Sequence, residues 1–204
     1  MIREEVLLYG TDAYARRVLD CLKSSRRVAV GAFAHGAGGG ALGSVPLHPE
    51  YQRQLHPEVG LVICVLNNRD RRRLSAWTAR PFAEAVCHAR ARVRSEVDAG
   101  SVVCAGAFVQ PHGYLGRHVI IGEEVVVGHR CEFDDFVHVG TGAVVCDRVR
   151  IDEGSWIGEG ATLAPGVHVG RWARVEAGAV VQRHVDDGEV VRGVFGRRVF
   201  RAAV

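Results

Sequence analysis

From Val97 to Val181 every sixth residue is bulky and apolar, beginning Val97, Val103, Val109, Leu115 and Ile121 and running through fifteen positions in one unbroken phase. A six-residue period is too short for a helical repeat and matches a parallel β-helix. The residue two before each of these is mostly small or β-branched (Ala107, Val119, Val125, Cys131, Val137, Ala143). Alternate residues of a strand share a face, so both positions point inward. Gly follows the apolar residue at 116, 122, 128, 140, 158 and 170, where the chain must turn. Three rungs close a coil, so the pattern predicts five coils, a prism roughly 24 Å tall at about 4.8 Å per coil.

Upstream, the pattern changes to alternating short apolar runs and helical spacing. Val6–Tyr9, Val28–Phe33 and Leu61–Leu66 read as strands, and Ala13–Leu22 and Arg69–Ala79 as helices, with a loop between Ala34 and Gly43. Strand–helix alternation indicates a small parallel α/β layer, Rossmann-like in class. The expected organisation is a Rossmann-like acceptor-binding domain over 1–86, a linker over 87–95, a β-helix over 96–185 and a cap or tail over 186–204. Ligands of such layers sit beyond the carboxyl ends of the strands. That makes Gly10, Thr11, Asp12, Tyr14, His35 and Asn68 the candidate acceptor contacts. A single glycine, Gly10, makes a poor phosphate cradle, and Arg71, Arg72 and Arg73 read as a solvated helix face.

Composition narrows the classes. The chain has 204 residues, enough for one large domain or two small ones, and no run approaches a membrane span. The N-terminus lacks the apolar core of a signal peptide, so a cytoplasmic protein with no membrane insertion is expected. Six scattered cysteines without a C-x-x-C pair indicate neither a zinc site nor a disulfide framework. Residues 1–95 carry 15 Lys and Arg against 8 Asp and Glu, a balance of +7, and the remainder carry 11 against 15, or −4. The basic residues lack interleaved aromatics, which argues against nucleic acid as a partner. The basic half is suited either to an anionic ligand such as a nucleotide or to plain solvated surface charge.

The candidate chemistry lies on the prism. None of its histidines occupies an inward position, and His129 and His138 stand out. A neutral imidazole can take a proton from an incoming amine or hydroxyl.

The stretch Gly128-His129-Arg130-Cys131-Glu132-Phe133-Asp134-Asp135-Phe136-Val137-His138-Val139-Gly140-Thr141-Gly142-Ala143, with the tail His184–Val194, resembles the bacterial nucleotide-aminosugar N-acetyltransferases and sialic acid O-acetyltransferases. The resemblance implies a left-handed β-helix and a homotrimer, with acetyl-CoA in the groove between neighbouring prisms and no metal. It implies His129 as general base and His138 as part of the active-site groove. Cys146 and Asp147 would offer backbone amides to the thioester oxygen, and Gly160, Ala177 and Gly178 would line the CoA path. Arg197 or Arg198 is assigned to a CoA phosphate on charge alone. Two departures stand out. His129 has Gly128 and Arg130 beside it where the family carries an acidic neighbour, so Glu124, Glu132, Asp134 or Asp135, from the same or a neighbouring subunit, is the expected substitute. The nucleotide loop Gly-x-Gly-Gly-His-Gly is replaced by Gly10-Thr11-Asp12-Ala13-Tyr14-Ala15.

The expected function is acyl-CoA-dependent O- or N-acylation of a sugar, nucleotide-sugar or specialised metabolite. A non-catalytic scaffold is the alternative. A metal site like that of the gamma-class carbonic anhydrases would need a histidine where Glu124 stands.

Overall fold

The computed structural model describes residues 4–34, 40–49, 57–78, 80–193 and 197–199. The N-terminal domain runs β1 (Glu5–Tyr9), α1 (Ala13–Ser24), β2 (Val28–Ala34), β3 (Ala41–Leu42), β4 (Val45–Pro49), β5 (Gly60–Ile63) and α2 (Asn68–Trp77). Its sheet has the order β3-β4-β2-β1-β5, parallel throughout except for the β3–β4 hairpin. The alternating pattern anticipated β1, β2 and β5 and both helices. It did not anticipate β4, whose Pro46 and Pro49 are residues that cannot donate to a ladder.

The remainder is a left-handed parallel β-helix of two-residue rungs joined by four-residue corners. Val103, Val109, Leu115 and their successors form one continuous core, each nearly inaccessible to solvent. Each residue one place earlier in the chain points outward, and the three faces differ in chemistry. One face stacks Val86, Val102, Ile120, His138, Trp156, Arg174 and Val190. The second stacks Arg92, Phe108, Val126, Val144, Thr162 and Val180 and is largely apolar. The third stacks Glu96, Tyr114, Glu132, Arg150 and His168 and is polar.

The prism has six coils, one more than the hexad phase predicts. Residues 87–95, expected to be a linker, belong to the first coil: Cys87 pairs with Val103 and Val93 with Val109. The corner from Val93 to Val97 is two residues short, which throws this coil out of phase. A matching short corner at the other end brings Val185 beneath Val169.

The N-terminal domain covers the lower part of the first face. Tyr14, Val18, Cys21 and Leu22 of α1 pack on Val86, Val102, Cys104 and Ile120. Arg71 fastens the junction, and this corrects its placement on a solvated face. It is 1% exposed, and its guanidinium donates to the carbonyls of His118, Phe136, Val65 and Leu66 and to Asn68 Oδ1, at 2.9–3.1 Å. Burial pulls its pKa down to about 10. Arg72 and Arg73 are exposed as expected. Arg71→Leu leaves several buried acceptors unpaired, and a loss of about 3–5 kcal/mol is expected. Urea denaturation of the two proteins measures it, and an unchanged transition would show that the junction does not depend on this residue.

Candidate functional site

His129 sits on the corner between the apolar and polar faces, and the corner's geometry follows from its sequence. Gly128 lets two coils approach closely, since a Cβ there would lie 2.4 Å from Asp147 Oδ1. That oxygen accepts from the His129 backbone N–H at 2.8 Å. The same device recurs where Asp135 caps Arg117 N–H and Asp187 caps Arg171 N–H, each after a glycine. At this corner alone of the three the capped residue is a histidine. His129 Nδ1 lies 3.6 Å from Asp147 Oδ1, in ion-pair range though beyond a hydrogen bond, with both side chains about half exposed.

The carboxylate beside His129 is therefore Asp147 rather than Glu124, Glu132, Asp134 or Asp135. Asp134 approaches Arg150, and Asp135 caps Arg117. Asp147 was expected to contribute only its backbone amide. The signal for its side chain was the eighteen-residue coil length, which stacks position 147 on position 129. Cys131, nearby, is no nucleophile. It is buried, its thiol donates to the Cys146 carbonyl, and burial pushes its pKa up to about 11.

His138 occupies a different environment. It opens a rung of the first face, separated from His129 by the polar-face rung Glu132–Phe133. It is 5% exposed and lies flat on Trp156, with ring centroids 3.7 Å apart. Burial, with Arg71, Arg17 and Arg174 adding to it, lowers its pKa to about 3, so the ring is neutral at physiological pH. Its Nδ1 has no hydrogen-bond partner among the described residues. His118, buried between Phe82 and Phe136, is lowered to about 3 by burial with Arg71 and Arg117.

The residues assigned to CoA divide between two corners. Cys146 and Asp147 share the His129 corner. Gly160, Ala177 and Gly178 lie on the corner between the first and apolar faces, where Gly160 and Gly178 turn at φ 63° and 68°. Both groups therefore border the apolar face. Arg197 and Arg198 belong to a strand, Arg197–Val199, antiparallel to Val190–Arg192, whose side chains are outside the described residues.

The acceptor candidates do not converge. Gly10 turns at φ 118° against the Cys64 carbonyl, and Asp12 caps α1 by accepting from Tyr14 and Ala15 N–H. Thr11 is exposed. Tyr14 is 1% exposed and belongs to the core. Asn68 is buried, its amide donating to the Gly154 and Ser155 carbonyls and its oxygen accepting from Arg71. Tyr14 is thus a packing residue rather than an open contact, and His35 lies outside the described residues. Asn68 fastens the junction and also lines a cleft beside α2, together with Asn67, Arg69, Trp156, Trp172 and Arg174.

Among the described residues no group of three or more His, Cys, Asp or Glu side chains is placed to hold a metal, and no helix is long and apolar enough to cross a membrane.

Two family descriptions match the prism: "Bacterial transferase hexapeptide (six repeats)" over residues 148–183 and "Hexapeptide repeat of succinyl-transferase" over residues 118–146. The whole chain is similar to the acetyltransferase domain of PglB from Neisseria gonorrhoeae FA1090, solved with acetyl coenzyme A. The two are 27% identical with a TM-score of 0.89, covering 97% of this chain and 100% of that one. It shares its fold with PerB from Caulobacter crescentus, solved with CoA and GDP-perosamine, at 22% identity and a TM-score of 0.87, over 96% and 97% of the chains. WeeI from Acinetobacter baumannii AYE has the same fold at 21% identity and a TM-score of 0.86, over 95% and 99%. No curated protein matches the sequence.

Proposed function

We propose that this chain, whose prism matches the bacterial transferase hexapeptide repeats and whose fold is that of an acetyltransferase domain solved with acetyl coenzyme A, is a nucleotide-aminosugar acetyltransferase that acetylates the amine of a sugar with His129 as general base. The observation that carries this is the His129–Asp147 pair on an open corner. With Nδ1 turned towards the carboxylate, Nε2 is the nitrogen left for substrate.

In the reaction the amine nitrogen attacks the thioester carbonyl of acetyl-CoA, and His129 Nε2 takes the proton the nitrogen sheds. The tetrahedral oxyanion is held by the Asp147 backbone N–H alone, because the Cys146 N–H donates to the Leu163 carbonyl and the Arg148 N–H to the His129 carbonyl. Collapse breaks the carbon–sulfur bond, and the imidazolium returns the proton to the departing CoA sulfur. Asp147 acts by positioning: it caps the His129 backbone N–H, which fixes the corner, and leaves its carboxylate on the Nδ1 side of the ring. His138, neutral throughout, contributes shape and one nitrogen rather than proton transfer. The N-terminal domain serves as the Rossmann-like unit that holds the acceptor.

The working form is a homotrimer. Val126 and Val144 are 38% and 37% exposed, and with Phe108 and Val180 they make an apolar stripe along one face. Covering that stripe with a neighbouring prism brings the His129 corner of one copy beside the Gly160–Gly178 corner of the next. Val126→Lys with Val144→Lys is expected to yield monomers by sedimentation velocity and to abolish turnover. A trimer that survives both changes would place the interface elsewhere.

CoA thiol release tests the reaction. Acetyl-CoA is supplied with UDP-, dTDP- and GDP-linked aminosugars and with free aminosugars. Release is expected with at least one amine and not with its hydroxyl counterpart. Tight acetyl-CoA binding with no release from any acceptor would favour the scaffold reading.

A further inference from the structure

The cleft beside α2 holds about 390 Å³ and opens where the chain leaves the carboxyl end of β5. The crevice beyond the carboxyl ends of parallel strands is the usual ligand position in such sheets. The Arg69 guanidinium lies 4.7 Å from the Trp172 ring centre and belongs to no ion pair among the described residues. A stacked guanidinium keeps its in-plane N–H groups available to a phosphate. Arg174 approaches Trp156 at 5.5 Å, and the Glu176 carboxylate it faces is shared with Arg192. Arg72 is matched by Glu153, so the cleft carries a net positive charge. Trp156 is stacked on His138 and Trp172 packs against Gly154, so the two rings are fixed supports for the Arg174 and Arg69 guanidinium groups that lie over them.

The β1–α1 turn has the opposite character. The Asp12 carboxylate already accepts from the Tyr14 and Ala15 N–H groups at the start of α1, the groups that would otherwise face an anion. An unpaired negative charge there repels a diphosphate.

We propose that the phosphate-bearing part of the acceptor binds in this cleft, held by Arg69 and Arg174 against Trp172 and Trp156, and not at the β1–α1 turn. The ligand class is an organic phosphate attached to a ring, which includes nucleoside diphosphate sugars and sugar phosphates. This rests on the acetyl-transfer reading for the word acceptor, but its test does not require turnover.

Two of the three tryptophans line the cleft, so intrinsic fluorescence reports its occupancy. The His129→Ala protein is titrated with UDP, GDP and glucose 1-phosphate, with glucosamine as the phosphate-free control. Saturable quenching is expected with at least one phosphate ligand and not with glucosamine. Quenching by UDP or GDP alone identifies a nucleotide, and quenching by all three identifies the phosphate itself. Losing one charge-assisted contact costs about tenfold in affinity, so Arg69→Gln and Arg174→Gln are each expected to weaken binding by that factor. Asp12→Asn keeps the cap and is expected to leave affinity unchanged. Near-UV circular dichroism checks that each variant is folded. The proposal is overturned by unchanged affinity in the folded Arg69→Gln/Arg174→Gln double variant, by an Asp12→Asn change as large as theirs, or by no saturable binding of any phosphate ligand. Phosphate binding in the cleft by a protein that releases no CoA overturns the reaction and leaves this inference standing.

Discussion

His129→Ala is expected to lower kcat about 10²–10⁴-fold, the range over which a positioned general base contributes. Acetyl-CoA binding should change little, because the imidazole acts on the acceptor's proton rather than on the coenzyme. Asp147→Asn separates the two roles of its neighbour. An asparagine oxygen can still accept from the His129 N–H, so the corner keeps its shape while the charge beside Nδ1 is lost. A drop of about tenfold in kcat with KM unchanged is expected, corresponding to about 1.4 kcal/mol in the barrier. Asp147→Ala removes the cap as well and should cost stability in addition. An equal loss of stability in both variants, with equal kcat, would reduce Asp147 to the structural part that Asp135 and Asp187 play at their corners.

Acid lability is the second large effect. His118 and His138 are held near 3 in the folded protein against an ordinary value of about 6.5. Their folded pKa is depressed, so between these values the unfolded chain binds more protons than the native one. Stability is therefore complete above about pH 6.5 and falls as the pH drops towards 3. Each histidine contributes about 1.4 kcal/mol per pH unit in that window, so two of them remove about 5 kcal/mol between pH 6.5 and 4.5 as an upper bound. His138→Phe retains the stack on Trp156 without a titrating group and should halve the slope. Denaturant titrations at pH 7.5, 5.5 and 4.5 measure it, and a flat profile would mean that neither ring is held neutral by the fold.

The prism was legible because every corner from Val97 to Val181 has the same length, which keeps the inward positions in phase. Legibility ended where corner length changed: the Val93–Val97 corner is two residues short, and the two rungs before it passed for a domain edge and a linker. His129 was legible from its motif. Its carboxylate partner was not sought at position 147 because neighbours along the chain were weighed before neighbours along the stack. Arg71 illustrates a different limit. Sequence shows three successive arginines, and only docking of α2 against His118 and Phe136 turns one of them inward. The cleft depends on the same docking. Trp156 and Trp172 both lie outside the hexad core, and nothing local distinguishes them from solvent-facing residues until α2 is placed beside them.

The same dependence on a neighbour applies to the reaction, since the CoA candidates occupy two corners on either side of one apolar face. A crystal structure with CoA bound tests this most directly. The CoA sulfur is expected beside His129 Nε2, with the pantetheine chain running between the His129 corner of one copy and the Gly160–Gly178 corner of another. CoA lying on the polar face, or within one copy and remote from His129, would contradict it.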